Sequence, residues 1–387
     1  MIKVCVITTS FPRQKKSYAG VFVKNFIESF SKNIVFSIVA PSDKKNVDLR
    51  PETYNVKWVR YSPRKWETLF YNGGGIPQNL DFPLFTYFKF LFFLTSMTIT
   101  SFIQSFKNDI VHVQWLQNGI FAILPKLILR KKVVITIHGS DFKLFTSSRF
   151  HKIVGKIIFF FSDAVITVNK EFKERLSAEY PNKNIYYMPY GYKINGSRDK
   201  NKESNTLLFV GSLTKAKGLL DLMHVMDKLI KMGIKAKLKI IGEGMLFSHL
   251  EKWSKKHDGN SIQLLGAMEN NEVVQEMQNC KLLILPSYSE GRPTVVMEAM
   301  SNGLPIIATK LSGIEEVVRD GVNGKLFTPG RKDVMFKILK DAFQGKLPLD
   351  LFVTNSFKLL KLEKLTVDNM VESHTALYQS LLKKNND

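Results

Sequence analysis

The sequence predicts an α/β protein of two domains, each built on a parallel sheet. Three observations predict it. The chain has 387 residues, too long for one compact core and suited to two. Short apolar runs alternate with helical patterns along much of the chain, as strands alternate with covering helices on both faces of a parallel sheet. One stretch, residues 194–205 (INGSRDKNKESN), is polar and aperiodic and reads as a linker. The expected division is therefore 1–193, a linker at 194–205, and 206–367 followed by a terminal helix.

In chain order, residues 2–7 form the first apolar strand, ended by Thr8-Thr9-Ser10-Phe11-Pro12. Tyr18–Val23 opens a helix that runs to about Ser31. Small residues and Gly20 between strand and helix let backbone N–H groups approach a ligand, although a tight turn explains them nearly as well. Further strands are expected at Ile34–Val39, Val56–Tyr61, Ile110–Val113, Val133–Ile137, Ala164–Val168 and Ile185–Met188. Gly73-Gly74-Gly75 marks a turn or a lid.

Phe82–Phe106 is long and apolar enough to raise the question of a membrane span. Lys89 lies inside it, Thr, Ser and Gln are scattered through its second half, and a span would cut the sheet in two. A buried core helix is one reading, and an apolar face that meets a bilayer, flanked by Arg60, Arg64, Lys65 and Lys107, is the other.

The second domain opens with a strand at Thr206–Val210 and a turn at Gly211–Gly218 that carries Ser212, Lys215 and Lys217. Lys237–Ile241 follows, ended by Gly242-Glu243-Gly244, which lacks the third glycine of a dinucleotide fingerprint. Ser261–Leu265 is the next strand. Leu282–Leu285, a loop with Glu290, a small-residue helix over Thr294–Met300 with Glu298, and Pro305–Ala308 make one βαβ unit. Helical patterns over Asp333–Phe343 and Leu362–Leu382 close the chain. In such sheets ligands sit at the carboxyl ends of strands, against helix N-termini. Glu290 is placed there, with Glu298 about two turns along the helix. By themselves two carboxylates eight apart read as solvated helix charges, and His138, in His138-Gly139-Ser140-Asp141 after a strand, reads as a structural histidine.

Longer patterns change those readings. Gly291, Gly303, Pro305, Gly313, Glu316, Gly321 and Gly324 stand around Glu290 and Glu298 as in an extended fingerprint. This stretch resembles the donor-site signature of retaining glycosyltransferases of family four (glycosyl transferases group 1), which have the GT-B fold: two Rossmann-like parallel-sheet domains with a cleft between them. His138-Gly139-Ser140-Asp141 resembles the family's second signature, and His112 matches a weaker position. Lys217-Gly218 matches the family's diphosphate-binding turn, but Ser212 stands where an Arg is usual, losing a charge and a bidentate fork that Arg292 or Lys215 would have to replace. Tyr190 stands for the Asn of the usual Pro-Asn-Gly, and Lys193 for an Asp.

The resemblance implies a metal-independent, retaining transfer from a nucleotide-diphosphate sugar, a UDP-sugar first and a GDP-sugar second, with no cofactor. It assigns Lys217, Gly211, Ser212, Arg292 and the N–H groups of Thr294 and Val295 to the diphosphate, since Pro293 has no N–H to give. Glu298 would take the ribose hydroxyls, Glu290 and His138 the sugar, and Gly20 would face donor and acceptor. The last helix, about 368–387, would pack back on the first domain. No pair of Asp residues at i, i+2 and no cluster with metal-ligand spacing occurs in the sequence.

The formal charge is +22. Residues 1–199 carry +16 and residues 200–387 carry +6, so the excess lies in the N-terminal half. It suits an anionic partner, such as a membrane surface or a lipid-linked acceptor, unless it is only Lys-rich solubility charge. A lipid-linked or cell-surface polysaccharide acceptor is expected. A nucleic-acid partner is not, because aromatics interleaved with Lys or Arg in a recognisable module are missing. A catalytically silent binding protein is the alternative that Ser212 and Lys193 leave open. A hydrolase with Glu290 and Glu298 as its two acids ranks low, because the surrounding fingerprint matches nucleotide-sugar binding. Cys5 and Cys280 lie in apolar runs and fit core packing in a reducing compartment, and the N-terminus reads as a strand rather than a leader, which points to the cytoplasm and the inner face of the membrane.

Overall fold

The structure is a computed structural model that describes residues 1–12, 20–30, 33–42, 54–67, 69, 84–195, 205–257, 261–290 and 293–383. It divides into one unit of Met1–Gly191 with Val367–Asp387 and a second of Tyr192–Thr366. Residues 196–204 of the expected linker, Gly73-Gly74-Gly75 and Arg292 lie outside the described residues.

The first unit is a seven-stranded parallel sheet in the order β3-β2-β1-β4-β5-β6-β7. Its strands are β1 (Ile2–Ile7), β2 (Ile34–Pro41), β3 (Tyr54–Val59), β4 (Ile110–Gln114), β5 (Lys132–Ile137), β6 (Ala164–Thr167) and β7 (Ile185–Tyr187). The β-branched runs explain the choice: Val4, Cys5, Val6 and Ile7 are fully buried, as a strand covered on both faces requires. Its helices are α1 (Val21–Glu28), α2 (Leu84–Ser105), α3 (Ile123–Leu129), α4 (Ser140–Ser147), α5 (Arg149–Phe161) and α6 (Lys170–Glu179). One face of the sheet packs Phe93 and Met97 of α2 with Ile158 and Phe159 of α5. The other packs Val23, Phe26 and Ile27 of α1 with Met370, Leu377, Tyr378 and Leu381 of the terminal helix, α14 (Val367–Lys383).

The second unit is a six-stranded parallel sheet in the order β10-β9-β8-β11-β12-β13. Its strands are β8 (Thr206–Val210), β9 (Lys237–Ile241), β10 (Ile262–Gly266), β11 (Leu282–Leu285), β12 (Ile306–Thr309) and β13 (Lys325–Phe327). The helices are α7 (Leu219–Lys231), α8 (Phe247–Ser254), α9 (Asn270–Asn279), α10 (Thr294–Ser301), α11 (Ser312–Glu315), α12 (Lys332–Phe343) and α13 (Leu349–Leu362). The linker reading is shortened at its start: Ile194 packs on this unit's core, and the Asn195 N–H donates to the Ser301 carbonyl at 3.0 Å.

β13 and α13 are two of the elements that the sequence reading does not name. β13 is three residues long, too short for a periodic signal. α13 holds Val353, Thr354, Asn355 and Ser356 in a row, poor helix formers that mask its pattern. Its buried face, with Phe352, Val353, Leu359 and Leu360, decides the matter by packing. α14 therefore starts at Val367 and not at Leu362.

α14 is held by more than apolar contact. His112 of β4 is fully buried and is hydrogen-bonded through Nδ1 to the Tyr378 hydroxyl at 2.6 Å and through Nε2 to Thr136 Oγ1 at 2.7 Å. Burial pushes the His112 pKa well below its usual value, so the ring is neutral. Removing one partner leaves a buried polar atom unsatisfied. Tyr378→Phe is therefore expected to cost about 1–3 kcal/mol in urea denaturation, with the secondary structure retained by circular dichroism.

Candidate functional site

In both sheets the strand order reverses once, between β1 and β4 in the first unit and between β8 and β11 in the second. Such a reversal opens a crevice at the carboxyl ends of the two strands, because their following loops diverge to opposite faces. Of the described residues singled out from the sequence, Gly20 follows β1, Lys217 follows β8 and Glu290 follows β11, while His138 ends β5, the neighbour of β4.

In the second unit, β8 runs into the turn that carries Lys217, and neighbouring β11 runs into the loop that carries Glu290. Lys217 Nζ donates to Glu290 Oε1 at 2.7 Å and to Oε2 at 2.8 Å. The Glu290 side chain is 6% exposed and that of Lys217 22%. Ser287 Oγ, in a wholly buried residue, donates to Glu290 Oε1 at 2.6 Å. The two loops are locked by the Tyr288 N–H, which donates to the Ala216 carbonyl at 2.8 Å. They are also pressed together at Gly218, whose φ is +68° and where a Cβ would stand 1.9 Å from the Pro286 carbonyl oxygen. Only glycine meets both conditions.

Pro293 caps α10, and Thr294 and Val295 present first-turn N–H groups that no helical carbonyl takes. The positive end of the helix is thus directed toward the strand ends. Glu298 lies one turn further on, half-buried, and among the described residues its carboxyl meets no cation. Burial pushes its pKa up to about 7. Gly211 is half-buried and its N–H donates to the Ile241 carbonyl at 3.0 Å. Ser212 and Lys215 are exposed.

In the first unit, Gly20 caps α1 with φ +73°, and a Cβ there would stand 2.3 Å from the Ser10 carbonyl oxygen. No side chain fits there, which both the turn reading and the ligand-facing reading of Gly20 accommodate. His138 ends β5. Asp141 accepts the N–H groups of His138 at 3.0 Å, Gly139 at 2.8 Å, Phe142 at 3.0 Å and Leu116 at 2.9 Å, which shapes the loop around the histidine. His138 Nε2 is bonded to Gln114 Oε1 at 2.9 Å, and Nδ1 to the Tyr190 hydroxyl at 3.3 Å. The amide oxygen can only accept, so Nε2 carries the proton and Nδ1 accepts from Tyr190. Burial lowers the His138 pKa to about 3, and the ring stays neutral. Trp115 and Tyr190 flank it, with ring centroids at 4.6 Å and 5.7 Å. Trp115 has a φ of +66°, a strained value for a bulky residue.

Glu290 and Lys217 are thus brought together with the N-terminus of α10 in the second unit, while His138 and Gly20 belong to the first. Gln114, Trp115 and Ser287 escaped the sequence reading. A signal existed for two of them: Gln114 stands two residues after His112 on the same side of β4, and Ser287 stands three residues before Glu290. Among the described residues no three His, Cys, Asp or Glu side chains come together as metal ligands would.

The comparisons with known proteins agree with this geometry. The profile of Glycosyltransferase Family 4 matches residues 19–195, and that of Glycosyl transferases group 1 matches residues 193–350. An uncharacterized glycosyltransferase of Methanocaldococcus jannaschii is 32% identical over 245 residues, which are 62% of this chain and 66% of that protein, just under two thirds of its length. A putative teichuronic acid biosynthesis glycosyltransferase of Bacillus subtilis is 23% identical over 82% of this chain and 83% of that protein. The structure of Anabaena HepE in complex with UDP superposes with a TM-score of 0.72 at 15% identity, over 98% of this chain and all of that one.

Lys217→Met is expected to destabilise the second unit by about 3 kcal/mol, because it strands a buried carboxylate. Adding Glu290→Gln recovers most of that loss, which a double-mutant cycle in urea measures. For Glu298 the folded pKa of about 7 exceeds the 4.5 of an unperturbed glutamate, so its ionisation opposes folding. Glu298→Gln is therefore more stable than wild type above pH 7, by about 3 kcal/mol at most. The difference shrinks as pH falls toward 4.5, which melting curves across that range follow.

Proposed function

This chain belongs to the glycosyl transferases group 1 family and has the two Rossmann-like parallel-sheet domains of the GT-B fold, and on that premise we propose that it transfers a hexose from a nucleotide-diphosphate sugar with retention and without a metal. The observation that carries the reading is the placement of Lys217, Glu290 and the first turn of α10 at the carboxyl ends of β8 and β11, with Glu298 behind them. A leaving diphosphate develops negative charge, and charge stabilisation there is the main catalytic task. Lys217 and the N–H groups of Thr294 and Val295 supply it without a metal ion. A bound diphosphate competes with Glu290 for the Lys217 ammonium, which turns the Glu290 carboxylate toward the sugar hydroxyls. Glu298 accepts hydrogen bonds from the ribose hydroxyls as a carboxylate. By its signature position His138 takes a hydroxyl of the donor sugar, through a ring nitrogen whose tautomer Gln114 and Tyr190 fix.

UDP is the first choice of nucleotide, supported by the Anabaena structure of like fold in complex with UDP. A GDP-sugar is the second. The acceptor is a lipid-linked or cell-surface polysaccharide, supported by the charge of +16 in residues 1–199 and by the putative teichuronic acid biosynthesis relative. Such an acceptor places the enzyme in the cytoplasm, peripheral on the inner face of the cell membrane. The alternative of a silent binding protein keeps its motive in Ser212, which offers no charge where the family has Arg.

A thermal-shift comparison of UDP, GDP and ADP with chelator present tests the donor site. Ligand at 100 times its dissociation constant adds about 2.7 kcal/mol, a rise of about 5–11 °C for a domain of this size. The rise is expected with UDP and lost in Glu298→Ala. No rise with any nucleotide would sink the enzyme reading. Turnover of the bound UDP-sugar, with the product anomer read by NMR, separates enzyme from silent binder.

A further inference from the structure

Three helices of the first unit carry apolar stripes that no described residue covers. α2 exposes Phe88, Phe92, Ile99 and Ile103 at helical spacing, on the side away from buried Phe93 and Met97. α3 exposes Leu124, Leu127 and Ile128. α5 exposes Phe150, Ile153, Ile157 and Phe160 at i, i+3, i+7 and i+10, and two of these phenylalanines are 70% and 80% exposed. The helices are neighbours, α2 against α3 and α3 against α5. α2 and α5 share one core on the same face of the sheet, so their outer stripes look away from it on one side. Single exposed apolar residues are ordinary, but a face of this many is not.

The charge around the face is one-sided. Residues 84–161 hold ten Lys or Arg and two Asp, a net +8, of which Lys126 is paired at 2.7 Å with Asp163 just beyond that span. One of the two, Asp141, is buried in its loop. Exposed Arg130 follows α3, and exposed Arg149, Lys152 and Lys156 alternate with the α5 stripe. No helix of the described residues is long and apolar enough to cross a membrane, and the inner side of α2 is committed to the core.

We propose that the outer face of α2, α3 and α5 is a docking surface for an anionic phospholipid bilayer, into which its phenylalanines insert while the basic residues pair with headgroups. An apolar stripe edged by Lys and Arg is the pattern that seats a surface helix at the headgroup boundary. A second copy of this chain would bring +8 against +8, which disfavours self-association through the same face. The proposal deepens the membrane-surface partner of the functional reading, yet stands on the exposed residues alone.

Flotation of the full chain with vesicles tests it, using phosphatidylcholine alone and an equal mixture with phosphatidylglycerol. Wild type is expected to float with the anionic vesicles at low salt and to be released by high salt. Lys152→Gln with Lys156→Gln is expected to lower the partition coefficient roughly 25-fold. Phe150→Ser with Phe160→Ser is expected to lower it at least about tenfold. Both double variants keep the UDP thermal shift, since none of the four residues lies at the donor site. Failure of wild type to float, or equal flotation of all three proteins, overturns the proposal. A concentration-dependent dimer that the Phe variant dissociates would also overturn it, by giving the face to a second copy. Vesicle binding without any nucleotide shift would retain the docking face and reject the donor site.

Discussion

The approach of Gly218 to the Pro286 carbonyl is the contact on which the second unit's chemistry depends. Two loops that leave adjacent parallel strands on diverging paths are forced together at one point, and a side chain there would hold them apart. Because they meet, Lys217 of one loop reaches Glu290 of the other, and Ser287 stands beneath both. The pair is nearly dry. Its attraction must offset a desolvation cost that often cancels such a gain, so its presence argues for use rather than for stability. A site built to receive a diphosphate needs a held cation, and a carboxylate that keeps the lysine in place until the ligand arrives serves that need.

The first unit repeats the construction with neutral groups. At its strand-order reversal, Gln114 joins buried His112 and half-buried His138: its amide oxygen accepts from His138 Nε2, and its amide nitrogen lies 3.4 Å from His112 Nε2. His112 in turn holds Tyr378 of α14. The chain's last helix and the candidate sugar ligand therefore share one hydrogen-bonded network. Burial keeps every ring in it neutral, so the network transmits orientation rather than charge.

Most of this was legible in the sequence where local pattern and burial agree. The strands with buried apolar runs, such as Val4–Ile7 within Ile2–Ile7 and Leu282–Leu285, could be read almost to the residue, because covering both faces leaves no polar alternation to confuse the period. α13 could not, since its run of β-branched and short polar residues contradicts the helix that packing imposes. α2 posed the opposite difficulty. Apart from Thr86 and Lys89 its first half is apolar all round, and composition cannot tell such a helix buried all round from one that is half exposed. Only the sheet, by fixing which side carries Phe93 and Met97, shows that Phe88 and Phe92 look outward. Ion pairs formed by loops distant in sequence, such as Lys217 with Glu290, were invisible for a related reason: 73 residues separate them, and only strand order brings them together.

The departures from the family pattern divide on physical grounds. Tyr190, in place of an Asn, gains a role that Asn could not fill: its longer side chain stacks on the His138 ring and places a hydroxyl at Nδ1. That bond and the Gln114 bond together satisfy both ring nitrogens, so the substitution adds order where it removes a local turn contact. Ser212, in place of an Arg, gains nothing comparable. It is exposed, short and uncharged, and Lys215 beside it is exposed as well. On the proposed reading, the groups among the described residues left to meet a diphosphate are one ammonium, Lys217, and one helix terminus. Each of these acts strongly only where water is excluded. Lys217, at 22% exposure against a 6% exposed Glu290, comes near that condition, whereas Thr294 at the helix terminus is open to water.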